Sequence, residues 1–435
     1  MKHPRTSQTG IIFNRNTFLS NMASGERYFK GRIFDGKRII EEGWLAIGND
    51  GTITEVGEGK FPHSGHDIIE GKDLTILPGL IDAHMHFFGC RYEDIAEWNL
   101  ISGELASVRS VTDMRNLIMA GFTTVRDLGS KTAVHLAQAE IEGDIKGPNV
   151  IASGHSLAQT GGNDDLKFLP LDMAKALSYS YFCDGPWECT SAVRKVIREG
   201  ATVIKVYASG GFAAGNRPLP NLTVEELKAI VEEGHRSGVK VTAHAYGEEA
   251  LNNVIDAGID SIEHGIGLTE DIAERIRKAG IYYIPTMSVY MAEKDNHGRL
   301  DLLPRIRGKS RVNRSEIINR HVTKEIEIAR DSGLKIVMGT DFVGAENSRH
   351  GDNAIEIERL SKYLGQEKAL NSSTSLAADC VGLDNAGRIK KGHSADLVVV
   401  KGNPFKDIGK IRKNAVKYVF HRSAVFDVDA INKVS

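Results

Sequence analysis

Positions 84 and 86 are both histidine, one residue apart and directly behind the apolar run of "GLIDAHMHFFG" at 79–89. Side chains at i and i+2 of a strand point to the same face, so His84 and His86 would converge on one point and could hold a metal ion. A single pair of this kind is as readily a chance feature of a solvated strand. Its company decides. Lys205 lies in "TVIKVYASGG", His244 in "KVTAHAYG", His264 in "SIEHG" and Asp341 in "KIVMGTDF", each at or near the end of a short apolar run. Six residues able to bind or bridge metal, all at such ends, favour a metal site over six unrelated structural side chains. Imidazole suits zinc and other borderline divalent ions, and a carboxylate binds hard cations and accepts protons. An ammonium cannot bind a cation, but a lysine buried among apolar residues loses its proton easily and reacts as a neutral amine. Addition of carbon dioxide would turn Lys205 into a carbamate, in effect a long carboxylate able to bridge two metals. The structural alternative is an ion pair of the Lys205 ammonium with Asp341.

Something must bring these distant positions together. Eight apolar runs occur in series, "LIDAHMHF", "TTVRDLG", "NVIASGH", "TVIKVYASGG", "KVTAHAYG", "SIEHG", "YYIPTMSV" and "KIVMGTDF". Amphipathic stretches such as "TVEELKAIVEEGHRSG" and "TEDIAERIRKAG" separate them and close on glycine. Short apolar strands alternating with helices predict an α/β fold with a parallel (β/α)8 TIM barrel over residues 78–385. Catalytic groups of such barrels lie at the C-terminal ends of the strands, where the six residues fall. Residues 28–77 read instead as antiparallel β, with Asp-Gly at 35–36 and Asn-Asp-Gly at 49–51 as hairpin turns. β character returns in "GRIKKGHSADLVVVKGNP" and "AVKYVFHRSAVF". The expected second domain is therefore a small β-sandwich composed of both chain ends, 1–77 and 386–435.

The 435 residues suffice for one barrel and a smaller domain. With 55 basic against 57 acidic residues the net charge is −2, which leaves no electrostatic footprint for nucleic acid or an anionic membrane. Cys90, Cys183, Cys189 and Cys380 contain no C-x-x-C pair and are expected as free thiols of a reduced compartment. No signal-peptide core and no apolar run of membrane-spanning length are seen, so a cytoplasmic protein is expected. Its expected partner is a small-molecule substrate, bound by a homo-oligomer.

On these motifs, with "LPGLIDAHMH" and "GRIKKGHSADLVV", the chain resembles the amidohydrolase superfamily over roughly residues 28–425, in its two-metal branch with a carboxylated lysine. The resemblance implies that His84 and His86 bind the more buried metal, that His244 and His264 bind the second, and that modified Lys205 bridges them. It further implies that Asp341 binds the buried metal and takes the proton of the bridging hydroxide. The cofactors expected are two divalent ions, zinc foremost, and a CO2-derived carbamate. Within the superfamily "IKVYASGG", "HAYG" and "IEHG" are similar to the Xaa-Pro dipeptidase and lysine/arginine carboxypeptidase group, which cleaves the amide before a C-terminal amino acid; relatives release amino acids from N-acyl compounds. The chain departs from that group at "TGGND", where Asn163 stands in place of the group's histidine.

Two metals about 3.5–4 Å apart can hold a hydroxide, polarise a carbonyl and stabilise the oxyanion. Asp341 would carry the proton to the leaving nitrogen. His155, at the end of the third strand, and Tyr246, two residues after His244, are candidates to touch substrate. Arg217, after the fourth strand, and Arg349 with His350, after the eighth, are the cations that could receive its carboxylate, and Asn163 is a further substrate-binding candidate. Two rivals are weighed. A one-metal deaminase or imidazolone-type hydrolase usually lacks the lysine and carries a glutamate three residues after the strand-five histidine, where this chain has Gly247. A non-catalytic binding or assembly member would have lost ligands, and none is lost here.

Overall fold

The computed structural model describes residues 26–62, 68–92, 95–210, 219–290 and 314–434. The N-terminal β region forms β1 (Arg27–Phe34), β2 (Ile39–Ile47), β3 (Ile53–Glu58) and β4 (Ile68–Pro78). β5 (Leu80–Met85), β6 (Phe122–Asp127) and β7 (Asn149–Ala152) make a three-stranded parallel sheet. A second parallel sheet contains β8 (Ser156–Ala158), β9 (Ser180–Phe182), β10 (Ile204–Tyr207), β11 (Val241–Tyr246), β12 (Ser261–Ile266), β13 (Tyr282–Ile284) and β14 (Lys335–Ile336), in the order β14-β13-β12-β11-β10-β8-β9. β5, β6, β11 and β12 are buried along their whole length, polar residues included, as strands covered on both faces are.

Backbone bonds also cross between the two parallel sheets. Ala83 donates to Met338 at 3.1 Å, His86 to Phe342 at 2.8 Å and Thr202 to Ala152 at 2.8 Å. The intervening helices follow their sequence signals. Val224–Arg236 starts from a capping box of Thr223 and Glu226 and buries Leu227, Ile230 and Val231. Glu270–Ala279 is capped by Thr269 and stopped by Gly280, whose φ of +72° is the left-handed geometry that favours glycine.

The chain ends do join, through β15 (Leu397–Lys401), β16 (Val416–His421) and β17 (Ala424–Asp427). The sheet order is β17-β16-β15-β4-β1-β2-β3. One seven-stranded mixed sheet thus unites the two chain ends. The reason is β4: it spans 11 residues, pairs in parallel with β1 on one edge and antiparallel with β15 on the other, and so links the ends side by side. Phe29, Leu45, Ile76, Leu397 and Phe420 are buried together, with the Phe29 and Phe420 rings edge to face at 4.8 Å. The four cysteines are free and buried.

A buried ion cluster fastens this sheet to the α/β region. His421 of β16 bonds Asp396 through Nδ1 at 2.7 Å and lies 3.4 Å from Glu140, on the helix Ala133–Glu142. Arg422 also pairs with Glu140, at 2.8 Å. Burial alone would push the imidazole down, but the bonds to Asp396 and Glu140 outweigh it and raise it to about 9. A folded value above the ordinary one means that the cluster's stabilisation is complete below about pH 6.5 and is lost as pH rises through about 9. The expected size is on the order of 3 kcal/mol. Urea unfolding at pH 6 and pH 9.5 should show this loss in the native chain and little of it in His421→Gln. Equal pH slopes in the two proteins would remove the cluster from the account.

Candidate metal centre

β5 and the residues after β14 bring three sequence-predicted groups together first. The ligating atoms of His84, His86 and Asp341 all lie within 4.8 Å of one another. Asp341 Oδ1 is 3.0 Å from His86 Nε2 and 3.4 Å from His84 Nε2. The strands beside them add the next pair. The His264 ring centre lies 5.1 Å from that of His84 and 4.8 Å from that of His244. Lys205 is buried on β10, whose register sets Tyr207 beside His244, and its Nζ is 5.2 Å from the Tyr207 ring centre.

The hydrogen bonds fix how the imidazoles face. His84 Nδ1 donates to Glu263 at 2.7 Å and His86 Nδ1 to the Gly129 carbonyl at 3.1 Å. His264 Nδ1 meets the hydroxyls of Thr286 at 2.7 Å and Tyr290 at 3.1 Å. The His244 ring bonds the backbone of Gly210, while its buried Nε2 has no hydrogen-bond partner. In His84, His86 and His264 one nitrogen is tied to the surrounding protein, and in His244 the other is left bare. This is how metal-binding imidazoles are held. A buried, unpaired Nε2 costs free energy that coordination would recover. Burial, then the neighbouring Lys205, pushes His84 down to about 4 and His244 to about 3; burial also depresses His264 strongly. Neutral rings keep the lone pairs a cation needs. The donor set therefore fits divalent metal.

Backbone strain gathers at the same place. His264, Thr286 and Asp341 all have positive φ, at 66°, 47° and 57°. Such conformations are costly for side-chain-bearing residues and cluster where function needs them. At His264 the break lets adjacent Glu263 and His264 both serve the site, which an unbroken strand would forbid.

Several participants were not foreseen. Glu263 anchors His84 and is itself held by Arg126 of β6 at 2.8 Å and by Thr242. Against burial, Arg126 and His84 keep its carboxyl down at about 2. Asp82 accepts from the backbone of His84 and Thr340 and from Asn353, clamping β5 to the Asp341 segment. Tyr290 bonds both Tyr246 and His264. The only sequence signal was the acidic residue inside "IEHG". Glu263→Gln is expected to lower metal affinity about 10–100-fold, since a neutral amide orients His84 without raising its basicity. Titration with zinc against a competing chelator would show it, and unchanged affinity would deny Glu263 that role.

The substrate candidates divide. Tyr246 is at the site, its ring 4.2 Å from that of His244 and its hydroxyl on Tyr290. His155 is not. The strand breaks between β7 and β8 at Gly154, φ +59°, and His155 turns away to stack on Tyr181 at 4.1 Å and approach Glu199 at 3.5 Å. His350 is buried and donates from Nε2 to the His86 carbonyl at 3.0 Å, so it supports the ligand loop and does not line an opening. Asn163 donates to Asp164 at 2.9 Å, and Arg349 is exposed. Arg217 lies outside the described residues.

Comparison with known proteins agrees with this geometry. The sequence model of the amidohydrolase family matches residues 75–427. The chain belongs to the amidohydrolase family. It is 30% identical over 380 residues to the ochratoxinase of Aspergillus niger, covering 81% of this chain and 75% of that one. A crystal structure of the A. niger ochratoxinase superimposes with a TM-score of 0.81 at 27% identity, covering 92% of this chain and 95% of that one. A Xaa-Pro dipeptidase with bound methionine gives 0.81 at 28% identity, over 93% of this amidohydrolase and all (100%) of the dipeptidase. A prolidase complexed with N-methylphosphonate-L-proline gives 0.82 at 28% identity, with the same 93% and 100% coverage. This amidohydrolase is a hydrolytic enzyme acting on amide bonds. Among the described residues no helix is long and apolar enough to cross a membrane.

Proposed function

We propose that this amidohydrolase uses two divalent metals, zinc foremost, to cleave the amide bond before a C-terminal amino acid, its substrate a dipeptide or an N-acyl amino acid. The observation that carries this reading is the set of four buried imidazoles beside Asp341, three of them tied at Nδ1 and one with a bare Nε2. His84, His86 and Asp341 would hold one ion and His244 and His264 the other. Lys205 would bridge them as a carbamate. Burial pushes its amine down to about 8, so a useful share is unprotonated near neutral pH and able to take up carbon dioxide. When bound, such ions supply Lewis acidity and activate water. Asp341 accepts the proton of the attacking water and delivers it to the leaving nitrogen. Tyr246, paired with Tyr290, is the hydroxyl that would bond the oxyanion or the substrate carboxylate. Arg217 is proposed as carboxylate receptor from its sequence position alone.

The bonds between the two parallel sheets support closure into a (β/α)8 barrel over 78–385, flanked by the end segments 1–77 and 386–435. Exposed Leu105, Val108 and Val111 on the helix Gly103–Met119 support a homo-oligomer. The relatives named dipeptidase and prolidase support a peptide-like substrate. A panel of dipeptides and N-acyl amino acids, assayed with zinc and bicarbonate, is expected to show release of the C-terminal amino acid, abolished by a chelator. Inactivity across the panel, or turnover indifferent to chelation, would contradict the reading.

A further inference from the structure

Cys183 and Cys189 are the closest pair of cysteines in the sequence, and the fold brings their side chains into contact. The Cys189 thiol donates to the Cys183 sulfur at 3.1 Å, against about 2.05 Å between the sulfurs of a disulfide. Both residues are buried. A thiol is a weak donor and a weak acceptor, so their hydrogen bond does little to hold the two side chains together. The other cysteines keep different company. Cys90 donates to the Val343 carbonyl at 3.2 Å, and Cys380 packs with Ile81, Ala83 and Val337.

The chain between the two thiols is a turn where several elements meet. Cys183 follows β9, and its backbone N–H donates to Ala158 of β8 at 2.9 Å; Cys189 lies in the opening turn of the helix Pro186–Arg198. Between them Asp184 accepts from the backbone of Thr160 at 3.0 Å, and Gly185 donates to Glu226 of the helix Val224–Arg236 at 2.6 Å. Asp184 and residues 186–188 are exposed, Trp187 at 88%, so the buried thiols lie beneath a single turn open to water. Gly185, at φ +83°, gives the helix Pro186–Arg198 no side-chain cap, and a covalent link would fix this end in another way.

We propose that Cys183 and Cys189 form a disulfide in the presence of a small-molecule disulfide, stapling the end of β9 to the start of the helix Pro186–Arg198. The contact with Cys183, then burial, push the Cys189 thiol up, so Cys183 is the sulfur that attacks first. Its thiolate breaks the S–S bond of oxidised glutathione and releases one thiolate. The Cys189 sulfur then gives up its proton and displaces the second, so that the two cysteines are oxidised and glutathione leaves as two thiols carrying both protons. To test this, reduced full-length protein is equilibrated with glutathione mixtures in urea below its unfolding transition, at a concentration where iodoacetamide reaches both thiols, then alkylated and mapped by mass spectrometry. Expected are the loss of two of the four thiols, a mass about 2 Da lower and a peptide joining Cys183 to Cys189. The melting temperature should rise by about 2–3 °C over the reduced form, a modest gain because the closed loop is short. Cys183→Ser should show no cross-link. Four thiols persisting in oxidised glutathione, a mixed disulfide in place of the cross-link, or a link through Cys90 or Cys380 overturns the proposal. A Cys183–Cys189 link that leaves the melting temperature unchanged overturns the staple.

Discussion

Asp341→Asn is expected to fold, to keep the imidazole cluster in place and to lose about 10²–10⁴-fold in kcat, the span ascribed to a positioned acid–base group. The structure explains both halves. Asp341 sits at φ 57°, a conformation asparagine tolerates as well as aspartate, and its backbone N–H donates to the His84 carbonyl at 2.6 Å, a bond the substitution keeps. Asp82, Thr340 and Asn353 hold the segment independently of the Asp341 side chain. An amide can still turn an oxygen toward His86 Nε2, now 3.0 Å from Oδ1, but it has no basic oxygen to receive a proton. Circular dichroism and metal content measured beside kcat separate the chemical lesion from a structural one. Retained turnover in the variant would place the base elsewhere.

Lys205→Ala should cost more, because it removes the proposed bridge and not only a proton carrier. Lys205 is buried between β8 and β11, and no other side chain of β10 ends in a group that could become a carboxylate. Metal content is expected to fall at both sites and activity to vanish. A short carboxylic acid such as propionate should partly restore both by occupying the vacated space. An ammonium held only by Asp341 and Glu263 predicts the reverse: metal content unaffected by truncation and no response to added acid. Full metal occupancy in Lys205→Ala would end the carbamate assignment.

How far the sequence reaches is visible in particular residues. The eight apolar runs contain strands because burial leaves a local signature, and from those strand ends His84, His86 and Asp341 come within 4.8 Å of one another, with the His264 ring between those of His84 and His244. Glu263 was hidden because strand alternation assigns it the face opposite His264; only the positive φ at His264 brings both to bear. Arg126 was hidden for another reason: its partner Glu263 is 137 residues away, and no local pattern announces so distant an ion pair. His155 was placed by extending a strand that Gly154 interrupts. The sequence reads His350 as a loop cation, yet a loop residue is buried when its ring supports a neighbouring loop, as the His350 ring does at His86. The joining of the chain ends was only partly legible, because the antiparallel pattern specifies faces, while the pairing of β4 with β1 and β15 is set by edges.

The central claim is that one chain binds two divalent ions and needs both to hydrolyse an amide. Elemental analysis of protein prepared with zinc and bicarbonate, read against activity as metal is removed by a chelator and restored, tests it most directly. The account predicts close to two ions per chain and activity that returns only as the second is filled. One ion per chain at full activity would contradict it.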